Sequence, residues 1–303
     1  MPYLNVGDGH QLYYQIQGDI HSATPLLFLH GGPGAGVRQG DIKLFAGLRR
    51  PVIFLDQRGC GHSRFSERLQ DNTSDKLVAD IEQLRQTLAI EKFILADGSW
   101  GSTLSLLYAI HYPEHVLRLV LWGIFLCRQQ ELDWFYLHGA NQLYPDEYQQ
   151  FINPIRQQPD QPVQAYYELL NNGNSDEQQA AAESWARWEA VNSFLTPGRQ
   201  KIAEFCDPAV SLPMAQLASY YFVNQGFIED DFILRHCAAL QDIAIDIVHG
   251  RYDSICPCVS AWQLDRALPQ SRLQITPHSA HDASEPENFA ALRAILQTLE
   301  PEE

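Results

Sequence analysis

Short apolar runs that end at turn-forming residues recur through the first 125 residues, and they are the feature that most constrains the fold. The run at 25–29 stops at a glycine cluster, and the run at 52–55 stops at Asp56. Such runs are typical of strands buried on both faces of a parallel sheet. The spacing of Leu77, Ile81, Leu84 and Leu88 predicts a helix between strands, with Asn72 or Ser74 as its N-cap. The remaining strands are predicted at 12–16, 93–96, 119–121, 243–248 and 273–275, and further helices at 104–110, 261–267 and 287–299.

The alternation of strand and helix stops after Phe125 and resumes near residue 236. The segment between is rich in Gln, Glu, Trp and Tyr and predicts helices broken by prolines, including Pro162, Pro208 and Pro213. Alternating strands and helices indicate an α/β fold with a mostly parallel sheet flanked by helices. We therefore predict a core formed by residues 1–125 and 236–303, with residues 126–235 inserted as a helical cap.

Charge and hydropathy exclude several classes of partner. The 303 residues include 21 Lys and Arg against 37 Asp and Glu, a formal net charge of −16. A chain this acidic, with no basic run, is not expected to bind nucleic acid. The longest clean apolar run, 119–127, is too short to span a bilayer, so no membrane association is expected. The first four residues show no signal-peptide pattern, and a cytoplasmic location is expected.

The cysteines and histidines do not predict a metal site. Six cysteines in 303 residues are too sparse for a disulfide scaffold, and we expect reduced thiols. Cys256 and Cys258 lack the two-residue gap of zinc and thioredoxin-like motifs. His278 and His281 are not spaced as a helical zinc pair.

The main chemical signal lies at Ser99. The sequence Asp97-Gly98-Ser99-Trp100-Gly101 follows a predicted strand and precedes a predicted helix. A serine at the apex of a strand–turn–helix is the nucleophile elbow of α/β hydrolases. Asp97 departs from this pattern, which has a small residue at that position, and a buried carboxylate there needs a partner or a raised pKa.

A nucleophilic serine needs a histidine base, which in turn needs a carboxylate. In this class of fold the chain order is Ser, acid, His. Asp253 follows the predicted strand 243–248, and His281 follows the strand 273–275, so both lie at the carboxyl edge of the sheet. His278 is a second candidate base that spacing alone does not exclude. The glycines after His30 suit a loop that points an N–H at an oxyanion.

Together these motifs resemble the proline iminopeptidase (prolyl aminopeptidase) family. The resemblance covers nearly the whole chain, insert included. It implies an α/β-hydrolase fold with a helical cap and removal of an N-terminal proline from peptides, with neither metal nor cofactor. The motifs that carry it are His30-Gly-Gly-Pro-Gly34, Asp56-Gln-Arg-Gly-Cys-Gly61, Gly98-Ser-Trp-Gly-Ser102, Gly123-Ile-Phe125, Glu131-Leu-Asp-Trp-Phe135, 185–189, His249-Gly-Arg-Tyr-Asp253, Cys256-Pro257 and Glu285-Pro-Glu-Asn288.

The resemblance also implies a role for each matching residue. The nucleophile would be Ser99, the acid Asp253 and the base His281, which stands four residues before the Glu-Pro-Glu-Asn run. Several positions carry the remaining roles: Gly32 and Trp100 would form the oxyanion hole, Phe125, Phe135 and Cys256 would line the proline pocket, and Glu189 would meet the substrate's amino group.

Two departures concern substrate recognition. Trp122 stands where the family typically has Arg, and Ala218 stands where it has a second Glu for the substrate amine. The leading hypothesis is a serine peptidase acting on small peptides. An esterase or amidase with the same catalytic residues, acting on a substrate without a free amine, is the first alternative. A non-catalytic binding protein on a hydrolase fold is the second. The sequence makes no prediction about oligomeric state.

Overall fold

A twisted sheet forms the centre of the protein, which we describe from a computed structural model covering residues 3–301. Residues 1, 2, 302 and 303 lie outside the described residues. The predicted core includes all four of them, and the signal-peptide prediction concerns the first two. The predicted strands are confirmed, and β1 and β5 are additional. The strands are β1 Tyr3–Gly7, β2 His10–Gln17, β3 Leu26–Leu29, β4 Val52–Leu55, β5 Arg64–Phe65, β6 Phe93–Gly98, β7 Val116–Trp122, β8 Ala244–Gly250 and β9 Ser271–Thr276.

The order of the strands places a crevice at the centre of the sheet. Within residues 3–301 the sheet has nine strands in the order β1-β2-β4-β3-β6-β7-β8-β9, with β5 paired to β2. All neighbours from β4 to β9 are parallel, whereas β1, β2 and β5 pair antiparallel. The chain order reverses at β3, which lies between β4 and β6. Ligands bind at such switch points, outside the carboxyl ends of the strands.

Helices cover both faces of the sheet, and the predicted ones are confirmed. Helix α1 is additional, because its seven residues carry too short a pattern to stand out. The helices are α1 Gln39–Phe45, α2 Ser74–Thr87, α3 Trp100–His111, α4 Gln129–Tyr136, α5 Pro145–Ile152, α6 Pro162–Asn172, α7 Ser175–Ser193, α8 Arg199–Phe205, α9 Pro208–Val223, α10 Phe232–Arg235, α11 Cys258–Ala267 and α12 Pro286–Thr298.

Alternate strand residues divide the interior into two cores. Leu27 and Leu29 of β3 belong to the larger core with α2 and α3, whereas Leu26 and Phe28 belong to a smaller core with α1 and α12. This is the period-two alternation of a strand buried on both faces. Trp122, at the end of β7, belongs to the smaller core, which therefore reaches the carboxyl edge of the sheet.

Within residues 3–301, the segment between β7 and β8 contains helices and turns but no strand. The division into core and cap at residues 126 and 235 remains a prediction. Pro162 and Pro208 begin α6 and α9, where a missing N–H costs nothing. The expected break at Pro213 is wrong, because this residue lies inside α9.

The predicted caps of α2 are also wrong, because Thr73 is the N-cap residue. The Asn72 amide instead donates to the carbonyls of Arg58 and Arg68, at 3.1 and 3.0 Å. The Ser74 hydroxyl donates to the carbonyl of Gly226. The Oδ1 atom of Asn72, the acceptor that a cap would use, instead accepts the hydroxyl of Tyr221 at 2.7 Å. These tertiary bonds engage both side chains away from the start of α2.

Three observations concern partners and cofactors. No helix among residues 3–301 is long and apolar enough to cross a membrane. In the same range, no cluster of three or more His, Cys, Asp or Glu residues is arranged to hold a metal ion. All six cysteines are free thiols.

Candidate active site

Ser99 occupies a sharp turn between β6 and α3. Its backbone has φ 58° and ψ −129°, a conformation that non-glycine residues rarely adopt. Small neighbours make the turn possible, because a Cβ on Gly98 would collide with the indole of Trp122 and one on Gly101 with the carbonyl of Leu29. Local strain of this kind is typical of functional sites.

Asp253 and His281 meet at the carboxyl edge of the sheet. The Nδ1 atom of His281 lies 2.7 Å from Oδ2 of Asp253, and the Asp253 carboxylate also accepts the N–H groups of Ile255 and Cys256. Burial opposes charge on both groups. Even so, the pair holds the pKa of Asp253 below and that of His281 above its ordinary value. His278 instead pairs with Glu287 at 2.9 Å on the surface.

Two cavities have Ser99 in their walls. The first, which we call the Glu189 cavity, measures about 20 Å³ and is lined by Gly32, Phe125, Phe135, Glu189 and Cys256, among others. The second, the Trp122 cavity, measures about 150 Å³, and His281 is part of its wall. Every predicted substrate-binding residue thus lies around the Glu189 cavity, and the roles of these residues remain predictions.

The two predicted oxyanion-hole residues flank Ser99. Gly32 follows Gly31, whose position would bring an added Cβ within 3.3 Å of the Ser99 Cβ. Trp100 is the first residue of α3, where backbone N–H groups have no partner within the helix. The indole of Trp100 is fully buried, and its N–H donates to the side chain of Gln57 at 3.0 Å. This hydrogen bond anchors the residue that follows Ser99.

Glu189 supplies a carboxylate to its cavity. Burial raises its pKa to about 7, although a hydrogen bond from Tyr136 and the charge of His281 lower it. The Tyr136 hydroxyl donates to Oε1 of Glu189 at 2.7 Å. Near neutral pH this group therefore changes charge.

Sequence reasoning missed four further residues of this wall: Leu132, Tyr136, Phe222 and Ile255. Glu131 also lines the cavity, but its carboxylate accepts the N–H of Arg128 at 3.0 Å and the hydroxyl of Ser260. Tyr136 directly follows Phe135, and this adjacency was the one feature of the sequence that could have predicted Tyr136 as part of the cavity wall. No feature of the sequence predicted Phe222, because it lies on α9, far along the chain from the other residues of the wall.

Asp97 is completely buried between β3 and α3. Its carboxyl oxygens accept the N–H of Leu29 and the hydroxyl of Ser105. Burial raises the pKa of Asp97 well above its ordinary value, despite these two hydrogen bonds. Asp97 thus binds the end of β3, which leads into the glycine loop, to the strand that carries Ser99.

We expect Asp97→Asn to stabilise the protein increasingly as pH rises. An unfolded aspartate loses its proton near pH 4, whereas the folded Asp97 keeps it to a higher pH. The native state therefore binds more protons in this window, and the free energy of unfolding falls by up to about 1.4 kcal/mol per pH unit. Asparagine can accept from Leu29 and donate to Ser105 without this penalty.

Thermal unfolding at pH 5 and pH 8 measures this effect. The difference in Tm between Asp97→Asn and wild type should grow with pH. Asp75→Asn removes an exposed carboxylate at the start of α2 and is the control for net charge. A difference that stays constant with pH for Asp97→Asn would contradict the assignment.

Comparison with known proteins defines first the class and then the family. A family model described as alpha/beta hydrolase fold matches residues 24–287. An esterase from Exiguobacterium antarcticum shares the fold with a TM-score of 0.68 at 17% identity, covering 98% of each chain. A thermophilic esterase from Thermogutta terrifontis has a TM-score of 0.64 at 18% identity, covering 96% of this chain and 93% of its own. The protein is an α/β hydrolase.

Sequence similarity is much higher to proteins named proline iminopeptidase. The one from Xylella fastidiosa is 40% identical over 291 residues, which are 95% of this chain and 93% of that protein. The one from Neisseria meningitidis serogroup A is 39% identical over 302 residues, covering 99% and 96%. The one from Arabidopsis thaliana is 40% identical, covering 93% and 75%. The chain belongs to the proline iminopeptidase family, as the motifs predicted.

Proposed function

We propose that this protein releases an N-terminal proline from small peptides by serine catalysis. One observation carries the proposal: the Ser99 turn, with His281 and Asp253 nearby, adjoins a small, mostly apolar cavity that has Glu189 in its wall. The catalytic residues would serve any acyl transfer. The carboxylate beside an apolar wall fits a ring that carries a protonated amine.

The chemistry follows from the three side chains. The Ser99 hydroxyl attacks the carbonyl carbon of the proline, and its proton passes to Nε2 of His281. The oxyanion accepts the N–H groups of Gly32 and Trp100. His281 then gives the proton to the leaving nitrogen, and the C–N bond breaks. Water hydrolyses the resulting acyl-enzyme, with His281 again as base. Asp253 holds the histidine tautomer throughout.

Recognition would depend on the Glu189 cavity. A protonated amine held away from water is costly unless a carboxylate meets it, and the presence of Glu189 in the cavity wall supports this role for it. Phe125, Phe135 and Cys256 would surround the ring. The present volume of about 20 Å³ suffices for a water but not for a five-membered ring. Proline binding therefore requires side chains of this wall to move.

Esterase or amidase activity on substrates without a free amine is the second candidate. The observation that favours it is the small number of available carboxylates around the cavity. Glu131 is already paired with Arg128 and Ser260, and position 218 is a buried alanine. Among the described residues of the cavity wall, this leaves the carboxylate of Glu189 to discriminate for a charged amine.

A kinetic panel separates the two candidates. We expect kcat/KM on proline β-naphthylamide to exceed that on its N-acetyl form by about ten- to a hundredfold, because one charged hydrogen bond contributes about 1.5–3 kcal/mol. Hydrolysis of an aryl acetate, which carries no amine, measures the activity of the catalytic residues without amine recognition. Equal rates on the free and blocked amides would overturn the peptidase proposal in favour of the esterase.

A further inference from the structure

The Trp122 cavity and the Glu189 cavity share Ser99 in their walls, and the position of His281 shows which half of a substrate the Trp122 cavity faces. Among the described residues that line the two cavities, His281 belongs to the Trp122 cavity. A general acid has to reach the leaving nitrogen to protonate it. On the proposed function, on which this step rests, the leaving peptide must therefore extend into the Trp122 cavity.

We propose that the Trp122 cavity is the subsite for the residue after the proline and that it selects a large apolar side chain there, aromatic ones most strongly.

The wall of this cavity is rich in aromatic rings. Trp122 and Phe28 stack with centroids 6.4 Å apart and planes 14° apart, and Leu44 and Phe289 line the same space. These residues come from the α1/α12 side of the sheet, so the cavity opens directly from the smaller core. An apolar cavity of about 150 Å³ binds benzene in another protein, so the volume here suits a phenyl ring.

Charged residues at the same cavity pair largely with one another. Arg38 lies 3.9 Å from Asp41, and its guanidinium stands 4.9 Å from the centre of the Phe205 ring. Lys201 lies 3.8 Å from Glu204. Asp282 is a third carboxylate in the wall, so the carboxylates outnumber the two cations and an acidic second residue is disfavoured, which leaves the aromatic rings to set the preference.

Trp122 links the aromatic wall of this cavity to the turn at Ser99. Its indole lies against Gly98, directly before Ser99, and its carbonyl accepts the N–H of Ser99 at 3.1 Å. The aromatic wall therefore reaches the turn that carries Ser99, and Trp122 joins the two.

Release of proline from three amidated dipeptides tests the proposal. We expect kcat/KM for Pro-Phe-NH2 to exceed that for Pro-Gly-NH2 by at least about tenfold, since an added apolar group gains ten- to a few hundredfold in an enzyme pocket. Pro-Leu-NH2 should fall between them. Trp122→Leu and Phe289→Ala should each reduce the Phe/Gly ratio at least about threefold. Trp262→Leu, a matched change of an exposed tryptophan on α11, should leave the ratio unchanged.

The outcomes separate the two proposals. A wild-type Phe/Gly ratio near one, with proline released from both peptides, would overturn the subsite and leave the function intact. No proline released from any peptide, while a fluorophosphonate still labels Ser99, would overturn the proposed function. If Trp122→Leu does not fold, Phe289→Ala and the wild-type series still decide, because neither alters the packing beneath Ser99.

Discussion

Ser99→Ala is expected to reduce turnover of proline β-naphthylamide by about 10⁴- to 10⁶-fold, the loss seen when a serine hydrolase loses its nucleophile. The turn at Ser99 holds the hydroxyl where both cavities meet, and we expect no other hydroxyl to take over this position. The folded structure should persist, because alanine fits the same turn. The measurement is kcat with purified protein, together with labelling by a fluorophosphonate probe, which should disappear.

Ser102→Ala is the matched control for labelling. Its hydroxyl lies one helical turn further along α3 and donates to the Ser99 carbonyl at 2.7 Å. This variant should still be labelled by the probe. Labelling that persists in Ser99→Ala would remove Ser99 from the role of nucleophile, and the search would turn to other hydroxyls at the cavity walls.

The parts of the site that the sequence could predict are those fixed by strand ends. Ser99, Asp253 and His281 each follow an apolar run, and the carboxyl ends of parallel strands meet at one edge. Apolar runs and chain order therefore predicted that the three residues lie at one edge, where the structure has them, and their catalytic roles remain predictions. The choice between His278 and His281 needed more than spacing, and the structure separates them by placing only His281 beside Asp253.

The cavity walls could not be predicted from local patterns. Phe222 and Tyr136 line the Glu189 cavity from helices that are far apart in sequence. No periodicity reports which helical faces meet. Asp97 illustrates the same limit, because its partners, Leu29 and Ser105, lie on a neighbouring strand and helix. The sequence required a partner for this carboxyl without being able to name it.

Glu189→Gln is expected to lower kcat/KM for proline β-naphthylamide by about ten- to a hundredfold. The neutral amide keeps the size and the hydrogen bond of Tyr136 but loses the charge that meets the substrate amine, worth about 1.5–3 kcal/mol. Hydrolysis of an aryl acetate should change little, because that substrate carries no amine. An equal loss on both substrates would show that Glu189 acts on the catalytic residues instead.

The pH profile gives a second test of Glu189. Its carboxylate has to be ionised to meet a cation, and its pKa is about 7. Below pH 7 the protonated form dominates, so kcat/KM for the free amine should fall. His281 also has to be neutral to act as base. Because its pKa is raised, protonation of His281 also lowers kcat/KM as pH falls. Glu189→Gln should remove the fall that comes from Glu189 and move the fall that comes from His281 to lower pH, because the Glu189 charge is one of the causes that raise the pKa of His281.

Ala218→Glu tests the same electrostatics from the opposite direction. Ala218 lies on α9 four residues before Phe222, so both project from one face of the helix, and Phe222 lines the Glu189 cavity. A carboxylate there would share the substrate's charge, and kcat/KM for proline β-naphthylamide should rise about tenfold. The buried site should lower Tm, and Ala218→Gln, equal in size, controls for that cost. An equal loss of activity in Ala218→Glu and Ala218→Gln would contradict this prediction. It would show that the size of the new side chain, and not its charge, determines the effect at position 218, and that Glu189 already supplies the recognition of the amine.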